Sequence, residues 1–545
     1  MENFETILTD EYIKRYEKIW PNKTILDYFY KALQNNPKKT AIVDKKSRYT
    51  YEELNQLVDR TALGLRHYGL EKGDVLSIQL PNWNEFIILH LAATRLGAIT
   101  NPLVPIYRDR EMDYMVKMTE AKMLVIPDQF RNFHYTEMVD RLRRDWPKME
   151  QVFVLGEQVP ENMKSLSALL EEPWEERMDS AVLDAVELDP NDITEIIFTS
   201  GTTGRPKGVL HTHNTLCMSE DYWLEHLNLT SDDVLFMAST FAHQTGFCYG
   251  ARLPFHFGGT GVYQDIWNPH AFIELIKKEG ITFTAGATPF LQDTVHMEGI
   301  ENEDIHTFRA FVSPGAPIPR ALVKEAYGKL NFKILAGWGQ SENGLVTLTA
   351  LDDTAEKLTG TDGYPFKGME VKVVDDQFEE CPRGEEGSLI CRGPTQFVGY
   401  LKQMDVTEAE HNDGWFITGD RAIMDEDGYI RITGRDKDII IRGGENIPVA
   451  YVENVLYEHP DIIDAQLVAM PDPRLQEKAC LFVTLRPEVP SLKLEDVTAF
   501  LNEKGVAKQY WPEHLEIIDE FPRTPSGKIQ KFRLRERVKE KFSNV

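Results

Sequence analysis

Short β-branched and apolar runs alternate with amphipathic stretches over most of this chain, and that alternation restricts the fold more than any other feature. "VLSIQL" (75–80), "KMLVIP" (122–127), "QVFVLG" (151–156) and "EIIFTS" (195–200) read as buried strands. Between and beyond them lie helical patterns. "YTYEELNQLVDRTALGLRHYG" (49–69) opens on Thr50 with Glu53 three residues on, a capping-box start. A second helix is expected from about 84 to 96, and "HAFIELIKKEG" (270–280) gives another. Strands that regularly give way to helices predict an α/β fold with layered, largely parallel sheets.

The texture changes after about residue 360. "EVKVVDDQFEECPRGEEGSLICRG" (370–393) holds two strand-like runs split by turn residues, and Asp427-Gly428 marks a hairpin turn, so a small antiparallel β subdomain is expected. From Val449 the order is helix, strand "AQLVAM", strand "ACLFVTL", helix "LEDVTAFLNEKG" and a last turn and helix. The expectation is a large N-terminal domain over 1–434 and a small mobile α+β domain over 435–545.

Composition removes whole classes of function. The 545 residues carry 60 Lys+Arg against 87 Asp+Glu, a net charge of -27, which disfavours nucleic-acid or anionic-membrane partners. The most apolar segment, "FIILHLAATRLGAI" (86–99), is too short and too polar to span a membrane. The start of the chain does not read as a secretory signal. Five dispersed cysteines show neither a C-x-x-C pair nor zinc spacing. A soluble cytoplasmic protein is expected.

One stretch does not read as folding material. "TSGTTGRPKG" (199–208) gathers the hydroxyls of Thr199, Ser200, Thr202 and Thr203, the permissive backbones of Gly201 and Gly204, and the charge of Lys207. Those are the groups that grip a polyphosphate. It is not a Walker A loop, since Lys207 lies between Pro206 and Gly208. The chain is expected to run on through "VLHTHN" into a helix near Asn214.

The loop resembles the phosphate loop of the acyl-adenylate-forming superfamily, which includes acyl-CoA synthetases, aryl acid ligases and adenylation domains. "GWGQSE" (337–342), "GWFITGD" (414–420), "GRDKDIIIRGGENI" (434–447) and "PRTPSGKIQK" (522–531) follow in the family's order, so the resemblance covers essentially the whole chain. It implies a reaction in two halves. A carboxylate attacks the α-phosphate of MgATP to give acyl-AMP and pyrophosphate, and a thiol then takes the acyl group. Both steps move charge onto oxygen and call for placed cations and donors.

The resemblance assigns roles residue by residue. Thr199 to Gly204 with Lys207 hold the departing phosphates. Glu342, with Thr202, is the magnesium site; taken alone, Glu342 reads as a helix-start glutamate. Gly315, Ala316 and Pro317 edge the adenine, and Gly337, Trp338, Gly339, Gln340, Ser341 and Ile432 complete the nucleotide site. Asp420 takes the ribose hydroxyls and Arg435 supports ribose and phosphate. Lys528 bridges the carboxylate and the α-phosphate from the small domain, which pivots at Lys437. Gly443, Gly444 and Glu445 then face the thiol tunnel. Catalytic roles fall to Lys528, His243 and Glu342.

The acyl pocket is expected from His243, Gln244, Thr245, Phe247, Ala287, Gly337 and Leu345. It offers no fixed charge for an amino group, which disfavours amino acids. Gln244 and Thr245 suit a ring hydroxyl, but the chain resembles medium-chain and alicyclic acyl-CoA ligases more closely. Coenzyme A is the expected thiol, with a stand-alone aryl acid ligase serving a carrier protein as the alternative. A homodimer stays open. A non-enzymatic acyl-binding protein on a degenerate fold predicts loss of Lys528, Asp420 or Glu342, and all three are present.

Overall fold

The computed structural model describes residues 4–199, 206–314, 318, 320–438, 440–442, 445–472, 474–506, 508–524 and 527–542, with the backbone alone at Lys437, Ile441, Glu445, Asn446, Gln476 and Gln509. Two large sheets carry the N-terminal part. In the seven-stranded sheet, Val75–Ile78, Ile99–Pro102, Met123–Pro127 and Gln151–Leu155 run parallel with Ile193–Thr199 and Lys164–Ser165, and Lys207–Thr212 closes one edge antiparallel. Every residue of Val75–Ile78 and Met123–Pro127 is buried, as expected of parallel strands covered on both faces.

The nine-stranded sheet has a parallel centre made of Lys333–Gln340, Ala310–Pro314, Phe283–Ala285, Val234–Met237, Thr260–Tyr263 and Thr40–Val43. Gly344–Leu348 and Tyr364–Pro365 extend one side antiparallel, and Arg48–Thr50 the other. Helices pack between these layers. Tyr51–His67 begins where the sequence predicts: Glu53 N–H donates to Thr50 Oγ1 at 3.2 Å and Thr50 N–H to Glu53 Oε2 at 2.8 Å. The second helix spans Asn84–Arg95.

A five-stranded antiparallel sheet follows, with Glu370–Val374, Glu386–Arg392 and Trp415–Met424 in order and Ile430–Arg435 paired to the last of them. Beyond it, Ile462–Asp472 and Gln476–Leu485 form a long hairpin carrying the helices Val449–Leu456, Leu494–Glu503 and Lys531–Phe542. The hydrophobic clusters of this last part draw only on residues from Ile440 onward, and those of the larger part only on residues up to Ile432. Among the described residues no helix is long and apolar enough to cross a membrane.

The helix expected near Asn214 begins at His213, and the chain reaches it through the buried strand Lys207–Thr212, which turns back in register with Ile193–Thr199 and which the sequence pattern does not announce. Val209, Leu210 and His211 are buried on both sides of that strand. A purely local reading cannot see those partners.

Candidate active site

The parallel centre of the nine-stranded sheet decides where a ligand can sit. Strands of such a sheet deliver their loops to one edge, at their carboxyl ends. Ser239, Ala287, Pro314, Gly339 and Gln340, each at or just beyond a strand's end, line one small cavity of about 50 Å³ with His243, Gln244, Thr245, Ser341 and Leu345. Lys528 completes the lining although it comes from the far end of the chain.

The loop that presents Lys528 is braced from behind. Arg523 pairs with Asp464 at 2.7 Å and donates to the carbonyl of Gly527 at 3.0 Å, while Lys528 N–H donates to Thr524 Oγ1 at 3.1 Å. Gly527 has φ +84 and faces Ala287 and Pro289, so the turn favours glycine where it meets the large part. Burial lowers the Lys528 ammonium to about 8; Arg435 adds to the shift, and Asp420 and Glu342 oppose it. His243, half-buried beside it, is lowered to about 3, first by burial and then by Lys528, and stands as a neutral imidazole.

Asp420 anchors a second cluster. Its Oδ2 accepts from Trp338 Nε1 at 2.8 Å and Gln340 Nε2 at 2.9 Å, and its Oδ1 pairs with Arg435 Nε at 2.8 Å. The strand register puts Asp420 opposite Arg435. Trp338 is thus fixed through its indole N–H, with the ring buried. Ile432 contributes its N–H to Asp362 Oδ2 at 2.8 Å. Gly337 and Gly339 have a packing reason: a Cβ would come within 2.7 Å of Thr347 O and 2.0 Å of Gly344 O.

Glu342 is not at a helix start. It lies in the buried turn between Lys333–Gln340 and Gly344–Leu348. Tyr400 Oη is 2.9 Å from its Oε1 and 2.6 Å from Glu410 Oε2, while Lys207 Nζ donates to Tyr400 Oη at 2.8 Å and to Glu410 at 2.8 and 2.9 Å. One hydroxyl hydrogen can serve only one of two carboxylates. The other contact needs a proton on the acid or a cation there, and this donor set suits a hard divalent ion. Burial raises the Glu342 carboxyl and Lys207 pulls it back.

The phosphate hairpin closes at the pair Thr199–Lys207. Ser200, Gly201, Thr202, Thr203 and Gly204 lie outside the described residues, as do Gly315, Ala316, Pro317, Gly443 and Gly444. Two buried hydroxyls border these segments, Thr199 Oγ1 and Ser313 Oγ, and among the described residues neither has a hydrogen-bond partner. Orphaned donors at the phosphate loop and beside the expected adenine edge fit a nucleotide. Lys437 sits in the short helical turn Asp436–Asp438, and Glu445 pairs in register with Arg442.

Two acyl-pocket expectations need correction. Phe247 is fully buried against Phe86 and His90 and does not line the cavity, and neither does Gly337. Within the π-helical turn Phe247–Arg252, Phe247 lies in the core and Tyr249 lines the cavity, as residues two apart face opposite sides of a helix. The sequence reading also missed Tyr400, Glu410, Ser239 and His211. His211 Nε2 donates to the carbonyl of Ser341 at 2.7 Å and so ties the hairpin to the Glu342 turn. No local pattern marks these residues. A further one is Glu195, fully buried and raised to about 8 by that burial, whose carboxyl receives the Gln244 amide at 3.2 Å once that amide is turned to satisfy its contacts.

A separate cleft of about 660 Å³ opens on the large part. Lys45, Lys46 and Arg131 line it with Trp83 and Phe130; Lys46 Nζ lies 3.8 Å from the Trp83 ring and the Arg131 guanidinium 5.5 Å from Phe130. Next to Trp83, Asn82 holds the cavity wall, donating to Ser239 O at 2.8 Å and accepting from Phe241 N–H at 2.9 Å.

The AMP-binding enzyme family model matches residues 29–401, and that of the AMP-binding enzyme C-terminal domain matches 451–528. The chain is 37% identical over 527 residues to a medium-chain fatty-acid–CoA ligase of Escherichia coli (strain K12), covering 96% of this chain and 92% of that one. It is 31% identical over 543 residues to a 2,3-dihydroxybenzoate-AMP ligase of Bacillus subtilis (strain 168), covering 98% and 97%. The structure of an anthranilate CoA ligase in complex with anthranoyl-AMP superposes with a TM-score of 0.89 at 23% identity, over 97% of this chain and 99% of that one, a likeness of fold.

Proposed function

The chain belongs to the AMP-binding enzyme family, and from that premise we propose that it is an ATP-dependent carboxylic acid:CoA ligase working through an acyl-AMP intermediate. The observation that carries this reading is Lys528: a desolvated ammonium from the C-terminal part, inside a cavity walled by the N-terminal part, with no anion paired to it among the described residues. Two anions, the incoming carboxylate and the α-phosphate, must come together for adenylation. A positive charge placed between them lowers that repulsion in the transition state more than in the separated reactants. Neutral His243 borders the carboxylate without competing for its charge.

Asp420 accepts the ribose hydroxyls in this reading, held ready by Trp338, Gln340 and Arg435. The hairpin loop with Lys207 receives the leaving pyrophosphate. Glu342 would hold Mg2+, with Thr202, and the ion would supply neutralisation of phosphate charge. For the second half-reaction the C-terminal domain, residues 435–545, turns about Lys437. That withdraws Lys528 and brings Gly443, Gly444 and Glu445 to the thiol's path.

The cleft supports coenzyme A as the acceptor. Lys46 and Arg131, each over an aromatic face in a cleft shared with Asp128 and Glu157, are read as the groups that meet its phosphorylated nucleotide. The acid is read as medium-chain, alicyclic or aromatic. Neither the cavity nor the dispersed cysteines conflict with a cytoplasmic enzyme. A panel of carboxylic acids with MgATP, scored for pyrophosphate release and for acyl-CoA, tests the reading. Expected is release that depends on the acid and thioester that depends on CoA. Absence of both overturns it, and release without thioester favours an aryl acid ligase that loads a carrier protein. Lys46→Glu with Arg131→Glu should raise KM for CoA and leave pyrophosphate exchange unchanged.

A further inference from the structure

The cavity is lined by groups of two kinds. Lys528, His243, Gln340 and Ser341 bring polar groups to the lining, while Tyr249, Gly344 and Leu345 bring an aromatic ring, bare backbone and an aliphatic chain. Tyr249 is 2% exposed and cannot swing away easily. Its ring stacks on Trp223 with centroids 4.4 Å apart and planes at 26°. Its hydroxyl accepts the N–H of Leu345 at 2.6 Å and shares a hydrogen bond of 2.8 Å with Ser219 Oγ.

The neighbouring backbone leaves no alternative space. Gly344 has φ +60, and a Cβ there would lie 2.6 Å from Ser219 Oγ and 3.1 Å from Tyr249 Oη. Ser219, Gly344 and Tyr249 therefore interlock. This ring, on the π-helical turn Phe247–Arg252, lines the cavity, and Phe247 does not. The Tyr249 hydroxyl is already spent on the Leu345 N–H and on Ser219, and the Gln244 amide is spent on Glu195. A hydroxyl at the far end of a bound acid would meet a ring face and aliphatic carbon, and it would lose its water without gaining a partner.

Resting on the reading of this cavity as the acyl site, we propose that Tyr249 is the specificity-determining floor of the pocket: it fixes the length of the acid and restricts it to acids whose far end is apolar. The substrate class is then a compact acid with a hydrocarbon end, straight or ring-shaped, and not a hydroxylated benzoate.

The test is a profile of kcat/KM across straight-chain acids from about four to fourteen carbons, taken with saturating MgATP and CoA for the wild type, Tyr249→Ala, Tyr249→Leu and Tyr249→Phe. The expected result is a wild-type maximum that moves to longer acids, by about two or more carbons, in Tyr249→Ala or Tyr249→Leu. Tyr249→Phe keeps the ring and should keep the maximum, and KM for ATP should hold in all three. The wild type alone gives a second measure that needs no variant to fold. At its preferred length it should favour the plain acid over the same acid with a terminal hydroxyl by about tenfold or more. An unmoved maximum in folded variants, or equal use of the hydroxylated acid, overturns the role of Tyr249 and leaves the ligase reading standing. Failure of the wild type to activate any acid overturns the ligase reading itself, and this inference with it.

Discussion

Lys207 and Lys528 act on the same carboxylate, Glu342, from two different parts of the molecule, and they arrive in opposite electrostatic states. Lys207 belongs to the hairpin at the edge of the seven-stranded sheet. It is paired in advance, with Glu410 at 2.8 Å and Tyr400 at 2.8 Å, so its charge is balanced before any ligand arrives. Lys528 belongs to a braced loop of the small α+β part. It is pushed into a cavity without an ion-pair partner among the described residues, and its proton is loosened to about 8. A cation already neutralised holds its surroundings in place. A cation left unneutralised has its attraction still to give, and in the reaction proposed above the reacting anions receive it.

The sharpest way to break this contrast is to delete each charge. Lys528→Ala is expected to lower acyl-AMP synthesis by about a thousandfold, in line with loss of a preorganised charge in a dry site. Thiolysis of supplied acyl-AMP should stay largely intact, and the melting temperature should not fall, because a desolvated charge has been removed. Equal loss of both half-reactions would contradict the assigned role. Lys207→Met should cost adenylation less, about tenfold, but should lower the melting temperature, since Glu342 and Glu410 are left facing Tyr400 without their cation. If instead Lys528→Ala is the less stable variant, the contrast is wrong.

Titration sharpens the same point. The Lys528 ammonium lies below its ordinary value, so it is protonated below about pH 8 and lost as pH rises through that value. Adenylation kcat/KM should fall on that alkaline side, and the limb in kcat should lie higher, because bound anions restore the charge. Asp420→Asn removes an anion that helps Lys528 keep its proton, and it should move the kcat/KM limb to lower pH. A limb that ignores Asp420 would detach it from Lys528. The smallest effect expected is a several-fold slowing of thioesterification relative to adenylation in Lys437→Pro, read by single-turnover kinetics of each half-reaction. The reverse order removes the hinge.

Much of this was legible along the chain because it rests on local chemistry. The strands at 75–78, 123–127, 151–155 and 193–199 follow from continuous apolar runs, and the helix at Tyr51 from a cap that needs only Thr50 and Glu53. Asp420, Arg435, Glu342 and Lys528 were singled out by the family resemblance of the motifs that hold them and not by local chemistry, since Glu342 taken alone reads as a helix-start glutamate. Tyr400 and Glu410 were not. They meet Lys207 only because the antiparallel β subdomain folds back against the hairpin. Phe247 was read into the pocket although it packs into the core, and nothing in "GFCYGA" announces the π-helical turn in which it lies.

The sequence by itself determined the family, the order of strands and helices, and which residues have the chemistry to handle a triphosphate and an acid. Those properties are carried by side-chain type and short spacing, which survive in one dimension. Tertiary structure alone decided which lysine is paired and which has no ion-pair partner among the described residues, and which aromatic ring lines the cavity. Charge balance and cavity shape are sums over neighbours hundreds of residues apart, and only the folded chain brings those neighbours together.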